Sequence, residues 1–393
     1  MQGNQTDSSG NLSLRKEILG LPFSEIRKIA REGMLRDDVI ALWFGEGDDP
    51  TPKFITDEAS RALETGKTFY TLNRGIGELR QALSAYMTEL YGARIGVDRV
   101  TVTASGMNGI MIATQCLAGP NDNVVIVTPI WPNFVGCVQI MGAEPRFVSL
   151  DKRSDGWGLD LDKLLSSCDG GTRAVIVNSP NNPTGWMMSG EQQKALLSYC
   201  RQHGIWVIAD EVYARIVYDR PSAPSFLELA EPDDLVFVIN SFSKSWSMTG
   251  WRIGWLTAPS MLGETLEMMN EYNVAGATTF AQHAGIVALA EGDSYVKSLV
   301  DRYRRRRELV FERLKKMSRV RMPRPEAAFY AFFAVDGMTH STSFAKQILR
   351  EHGIGLAPGS AFGGTGEGHL RLCYANSESL LSEAMDRLES ALS

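Results

Sequence analysis

From about residue 98 to 258 the chain alternates short β-branched runs with longer stretches of helical pattern, and nothing else in it constrains the fold as strongly. The runs are "RVTVTA", "NVVIVT", "AEPRFVSL", "RAVIVN", "GIWVIAD", "LVFVIN" and "GWLTA". Several are apolar at consecutive positions, so the strands they form must be covered on both faces. A mostly parallel central sheet with helices on either side meets that need, and the expected fold class is α/β.

In open sheets of this kind ligands bind beyond the carboxyl ends of the strands. The polar residues that follow the runs are therefore informative: "SGMNG" after "VTVTA", "PIWPNF" after "VVIVT", "SPNNPTG" after "AVIVN", "EVY" after "WVIAD" and "SFSK" after "LVFVIN". All should converge on one crevice.

Bulk properties limit what that crevice serves. With 393 residues, 44% hydrophobic and 22% charged, the chain has the composition of a soluble enzyme and room for a large domain and a smaller one. A net charge of −6 gives no reason to expect nucleic acid or an anionic membrane as a partner. The five cysteines are scattered and never form C-x-x-C, which predicts reduced thiols in a cytoplasmic protein, and no histidines stand at metal-ligand spacing. The opening "MQGNQTDSSGNLS" lacks the apolar stretch of a signal peptide, so residues 1–12 are expected to be a disordered polar tail. The run "RYRRRR" at 302–307 is expected to be a solvated helix face.

Taken one at a time, the strand-end residues have ordinary explanations. "ASGMNG" is a helix cap, Asp210 caps the next segment, Trp131 belongs to the core, "SPNNPTG" is a turn and Lys244 sits on the surface. Together they meet the needs of one ligand, pyridoxal 5′-phosphate. Its aldehyde needs Lys244. Its phosphate needs Arg252, Ser241, Ser243 and the helix start at Ser105, Gly106 and Met107. Its ring needs Trp131 as a flat partner, its pyridine nitrogen needs the Asp210 carboxylate, and its phenolate oxygen needs Asn182 and Tyr213.

The segments "SFSKSWSMTGWRIG", "NSPNNPTG", "DEVY", "GEGDDPTP", "YTLNRGIGELR" and "LRLCYANS" give the chain, from about residue 15 to the end, its resemblance to a family. It resembles the fold-type I pyridoxal phosphate enzymes, and within them the class I/II aminotransferases. The resemblance implies a homodimer with shared active sites, a large cofactor domain over 51–287, and a smaller α/β domain formed by 13–50 and 288–393. It implies that Lys244 is the Schiff-base lysine, Arg252 the principal phosphate ligand, Asp210 the partner of the ring nitrogen, and Tyr213 and Asn182 the partners of the ring hydroxyl. Trp131 is implied to stack on the ring, and Tyr70 to reach the phosphate of the neighbouring subunit. Arg371 would grip the substrate α-carboxylate beside Asn182, in a pocket lined by the backbone of Gly45. Where many relatives carry a side-chain donor after the phosphate-binding glycines, this chain has Met107, so only the backbone contact transfers there. Of the two serines, Ser241 is favoured as the phosphate contact.

The implied activity is transfer of an amino group from an L-amino acid to a 2-keto acid by ping-pong transamination, with Lys244 moving the proton. The segment "NEYNVAGATTFAQ" and the helix "GMNGIMIATQCLAG" offer no Arg or Lys for a side-chain carboxylate, and Trp43 and Phe44 stand beside Gly45. A neutral, apolar or aromatic donor is therefore expected. Two other functions stay open: another reaction on the same cofactor, such as a C–S β-lyase, and a non-catalytic ligand sensor of aminotransferase-like fold.

Overall fold

The structure, a computed structural model, describes residues 14–153 and 156–392. The tail expected at 1–12 lies outside the described residues. All seven apolar runs form strands of one sheet: β1 (Val100–Thr103), β2 (Asn123–Thr128), β3 (Glu144–Ser149), β4 (Thr172–Asn178), β5 (Trp206–Asp210), β6 (Val236–Ser241) and β7 (Gly254–Thr257). Their spatial order is β1-β7-β6-β5-β4-β2-β3. Only β7 runs against its neighbours, being antiparallel to both β1 and β6. The other pairs are parallel.

The consecutive apolar residues divide between the two faces as the pleat demands. Val125, Val127, Val175, Val177, Val207 and Val238 join one hydrophobic cluster. Val124, Ile126, Ile176, Ile208, Phe237 and Ile239 join another on the opposite side. β3 is an edge strand, and it alone leaves most of its residues accessible.

A second sheet contains β8 (Val320–Arg321), β9 (Tyr330–Val335), β10 (Ala357–Pro358) and β11 (His369–Cys373), in the order β8-β9-β11-β10. The beginning of the chain docks here. Ile40–Ala41 pairs in parallel with Ile354–Gly355, and the helix Glu25–Gly33 packs on the helix Ser341–His352.

The helix Asp293–Lys316 corrects one sequence expectation. Its arginine run is not a solvated face, because the helical period turns Tyr303, Arg306 and Arg307 inward. Arg306 donates to the Ala375 carbonyl at 2.9 Å and pairs with Asp48 and Asp49, while Arg307 donates to the Pro325 carbonyl at 3.0 Å and stacks over Tyr218. Partners of this kind are what allow an arginine to be buried, and only the Arg306 Nε is left without one among the described residues. Among the described residues no helix is long and apolar enough to cross a membrane.

Candidate active site

β4, β5 and β6 end on Asn178, Asp210 and Ser241, and these three ends form the floor of a cleft of about 310 Å³. Asp210 is buried. It accepts hydrogen bonds from Asn178 Nδ2 at 3.0 Å and from the Val212 N–H at 3.2 Å. Burial nevertheless pushes its carboxyl up to about 7, the Val212 N–H and the nearby Lys244 only partly opposing the shift. Among the described residues Asp210 is in no ion pair.

Beyond β6, the short helix Phe242–Ser245 carries Lys244, and the chain then turns back to run as β7 beside the strand it left. Arg252 takes left-handed backbone angles, φ 52° and ψ 60°, at this reversal. The lysine and the arginine therefore both line the cleft. Gly254 lies opposite Ser241, and a Cβ on it would stand 2.7 Å from the Gly106 nitrogen. A glycine is needed there for the start of the helix Gly106–Leu117 to come this close. The first N–H groups of that helix have no intrahelical acceptor, and Gly106 and Met107 line the cleft.

Burial lowers the Lys244 amine to about 8, against weaker opposing influences from Cys373 and Glu46. Its Nζ donates to the Gly45 carbonyl at 2.6 Å. Above it, the Tyr213 and Tyr330 hydroxyls share a hydrogen bond of 2.7 Å, and burial raises the Tyr213 phenol far beyond its usual range. Arg371, on β11, is 2% exposed. It donates through Nη1 to Asn182 Oδ1 at 2.9 Å and through Nη2 to the Trp43 carbonyl, while its Nε is buried without a partner among the described residues. The guanidinium is held over Tyr330 and Phe362 at the cleft lining and has no carboxylate partner among the described residues, which places it to receive one.

The pattern of the family described as "Aminotransferase class I and II" matches residues 37–388. The chain belongs to that family. The aspartate aminotransferase of Pyrococcus horikoshii is 34% identical over 382 residues, covering 96% of this chain and 97% of that one. An aromatic-amino-acid aminotransferase of Thermococcus litoralis is 33% identical over 377 residues, or 94% of this chain and 95% of that one. The solved structure of an alanine aminotransferase from Pyrococcus furiosus superposes with a TM-score of 0.91 at 27% identity, covering 96% of this chain and 99% of that one. This aminotransferase is therefore a transferase that moves amino groups between amino acids and keto acids.

Of the residues singled out in its sequence, Gly45, Gly106, Met107, Trp131, Asn182, Asp210, Tyr213, Ser241, Ser243, Lys244, Arg252 and Arg371 line this one cleft. Ser105 stands at its edge with its hydroxyl capping the helix, accepting from the Asn108 N–H at 3.0 Å. Ser241 Oγ donates to Ser243 Oγ at 2.9 Å, so one hydroxyl positions the other. Tyr70 is not brought in: its side chain is 94% exposed, away from the cleft lining of its own chain.

Sequence reasoning misses three groups in this aminotransferase. Asn178 ties Asp210 to the next loop, since its Oδ1 also accepts from the Asn182 N–H at 2.8 Å; its position as the last residue of "AVIVN" is a signal that could have found it. Tyr330 carries no such signal inside the apolar run "YAFFAV". Arg27, on the helix Glu25–Gly33, lines the cleft although neither segment searched for a side-chain cation contains it.

The donor set of the site suits pyridoxal 5′-phosphate. A buried carboxylate short of a cation, an amine that is neutral well below its usual range, and an arginine beside free helical N–H groups match its ring nitrogen, aldehyde and phosphate in turn.

Proposed function

We propose that this chain holds pyridoxal 5′-phosphate on Lys244 and carries out ping-pong transamination between an L-amino acid and a 2-keto acid. The observation that carries the reading is Arg371, 2% exposed and paired with no carboxylate among the described residues, lining the same cleft as the depressed amine of Lys244. A guanidinium to bind the carboxylate beside a reactive amine is what an amino acid substrate requires.

In this reading Arg252, Ser241, Ser243 and the backbone of Ser105, Gly106 and Met107 hold the phosphate, with Tyr70 acting on the phosphate of a partner subunit. Trp131 packs on the ring, and Asn182 and Tyr213 donate to its hydroxyl. When bound, the cofactor supplies an aldehyde that captures the amino group and a ring that draws electrons from the substrate Cα. Asp210 keeps a proton at the ring nitrogen, which its own low-dielectric surroundings make a favourable pairing. Arg371 fixes the substrate carboxylate, with Asn182 holding the guanidinium in plane, and the Gly45 carbonyl anchors the lysine until substrate arrives. The Lys244 Nζ, once neutral, takes the proton from Cα and returns it, acting as base and then acid at one atom.

The apolar wall of Trp43, Phe44 and Trp131 supports a neutral, apolar or aromatic donor. So does the likeness to an aromatic-amino-acid aminotransferase, although others of the similar proteins are named for aspartate or alanine. A homodimer with shared sites is supported by Phe69, Tyr70 and Leu72, large apolar side chains left exposed within four residues of one another. We also infer a cofactor domain over 51–287, a smaller domain of 13–50 and 288–393, and, from the free thiols, a cytoplasmic location.

The test is reduction with borohydride after loading with pyridoxal 5′-phosphate, followed by peptide mass spectrometry. The cofactor should be found on Lys244, and an amino acid added before reduction should prevent the link. A label on any other lysine would overturn the assignment.

A further inference from the structure

In the function proposed above Tyr213 donates to the ring hydroxyl of the cofactor, and a phenol has one proton to give. The Tyr213 hydroxyl already shares a hydrogen bond of 2.7 Å with that of Tyr330. If the Tyr213 proton goes to the cofactor, the proton of the shared bond has to come from Tyr330. The direction of the bond is thereby fixed, with Tyr330 donating and Tyr213 accepting.

The fold holds Tyr330 in place for this contact. It opens β9, is fully buried, and pairs with Cys373 on β11. Its ring meets that of Tyr213 edge-on with centroids 5.7 Å apart, and Phe329 meets Tyr213 in the same way at 5.5 Å. The Arg371 guanidinium lies over the Tyr330 ring, 4.6 Å from its centroid. The room taken by the Tyr330 hydroxyl exists because Gly45 has no Cβ to fill it. Burial raises both phenols, and within that rise the shared bond lowers Tyr213 and raises Tyr330, the signs that go with Tyr330 as donor.

We propose that Tyr330 is a positioning residue, which turns the Tyr213 proton onto the oxygen of the cofactor's ring hydroxyl and strengthens Tyr213 as a donor. The inference rests on the cofactor reading above and adds to it a residue that acts through another. A hydrogen bond received by the Tyr213 oxygen polarises its O–H, as in any chain of such bonds. A stronger donor takes up more of the negative charge on the cofactor oxygen. That charge otherwise holds a proton on the neighbouring nitrogen that joins the cofactor to Lys244, so the nitrogen gives up its proton at lower pH. The other groups bearing on the Tyr213 hydroxyl are Asp210, Arg371 and Cys373, with Lys244 Nζ 5.8 Å from the centre of the Tyr213 ring.

The experiment titrates the holoenzyme across pH by the visible absorbance of the bound cofactor, which reads the protonation of that nitrogen. It compares the unaltered protein, Tyr330→Phe, Tyr213→Phe and the double variant, each with its melting temperature. Tyr330→Phe keeps the ring beneath Arg371 and beside Tyr213, leaves every charged group in place and removes one hydroxyl. It should raise the midpoint by roughly half a unit to one unit, the worth of one neutral hydrogen bond. Tyr213→Phe should raise the midpoint further, and the double variant should match Tyr213→Phe alone, because Tyr330 acts only through Tyr213. An unmoved midpoint in Tyr330→Phe, whatever its melting temperature, would reduce the pair to a packing contact. An equal rise in both backgrounds would mean that Tyr330 acts without Tyr213. Either result overturns the proposal and leaves the cofactor on Lys244. If the unaltered protein takes up no cofactor on Lys244, the cofactor reading itself falls, and the role of Tyr330 falls with it.

Discussion

Lys244 Nζ donates to the carbonyl of Gly45 at 2.6 Å across 199 positions of sequence. The same Gly45 presses against Tyr330, because a Cβ there would lie 2.0 Å from the Tyr330 hydroxyl, which in turn hydrogen-bonds Tyr213. One glycine therefore sets both the amine and the tyrosine pair.

Gly45→Ala tests this directly. Tyr330 is fully buried and cannot swing aside, so the methyl must displace either the tyrosine pair or the Gly45 loop. We expect a loss of about 1–3 kcal/mol in stability, of the size found for overpacked cores, and weaker binding of amino acid substrates. Thermal unfolding and substrate titration of the same sample check it; an unaltered melting temperature with unaltered affinity would mean that the loop yields freely.

Cofactor capture should depend on pH through Lys244. Burial lowers this amine to about 8 from 10.5, so below pH 8 it is mostly protonated and above it mostly the neutral nucleophile. The second-order rate of pyridoxal 5′-phosphate incorporation should rise about tenfold per unit below pH 8 and level off above it. A rate still climbing at pH 10 would show an amine of ordinary basicity. Linkage has a matching sign: the unfolded chain holds more protons on Lys244 between about 8 and 10.5, so this group makes the cofactor-free protein more stable as pH rises through that window.

Asp210→Asn should retain the cofactor and lose at least about a hundredfold in turnover, because an amide cannot keep the ring nitrogen protonated. Asn178→Ala should act more mildly, by about tenfold in kcat, since it leaves the carboxylate in place and removes the donor that orients it together with the acceptor for the Asn182 N–H. As Asn178 positions Asp210, its variant should also shift the acidic limb of the kcat profile, which steady-state rates across pH will read. Near-normal turnover in Asp210→Asn would reduce that residue to a structural cap.

Tyr70, exposed to 94% in its own chain, should serve the partner's site. Lys244→Ala and Tyr70→Asp, the second placing a carboxylate beside the phosphate, should each give inactive homodimers. In mixed dimers with shared sites, one site carries both lesions and the other none, so random exchange should restore about a quarter of the unaltered activity. No recovery after verified subunit exchange would assign Tyr70 to its own chain.

The sequence by itself determined the seven strands and the residues at their ends. Strand runs such as "AVIVN" and "WVIAD" are local signals, and the polar residue that closes each run sits where the sheet opens. Lys244, Asp210, Arg252 and Asn182 were legible for that reason, and Asn178 was legible without being read. What only the tertiary structure decided lies in pairs distant along the chain. Asn182 meets Arg371 across 189 positions, Tyr213 meets Tyr330 across 117, and Arg27 reaches the cleft from a helix whose own pattern shows nothing but an apolar face. The helical period turns Arg306 and Arg307 inward, but only the packed fold supplies the distant partners that let them be buried in a run that reads as solvated. The amine of Lys244 and the carboxyl of Asp210 take their altered basicity from desolvation, a property of the packed fold around them that no neighbouring residue in the sequence can supply.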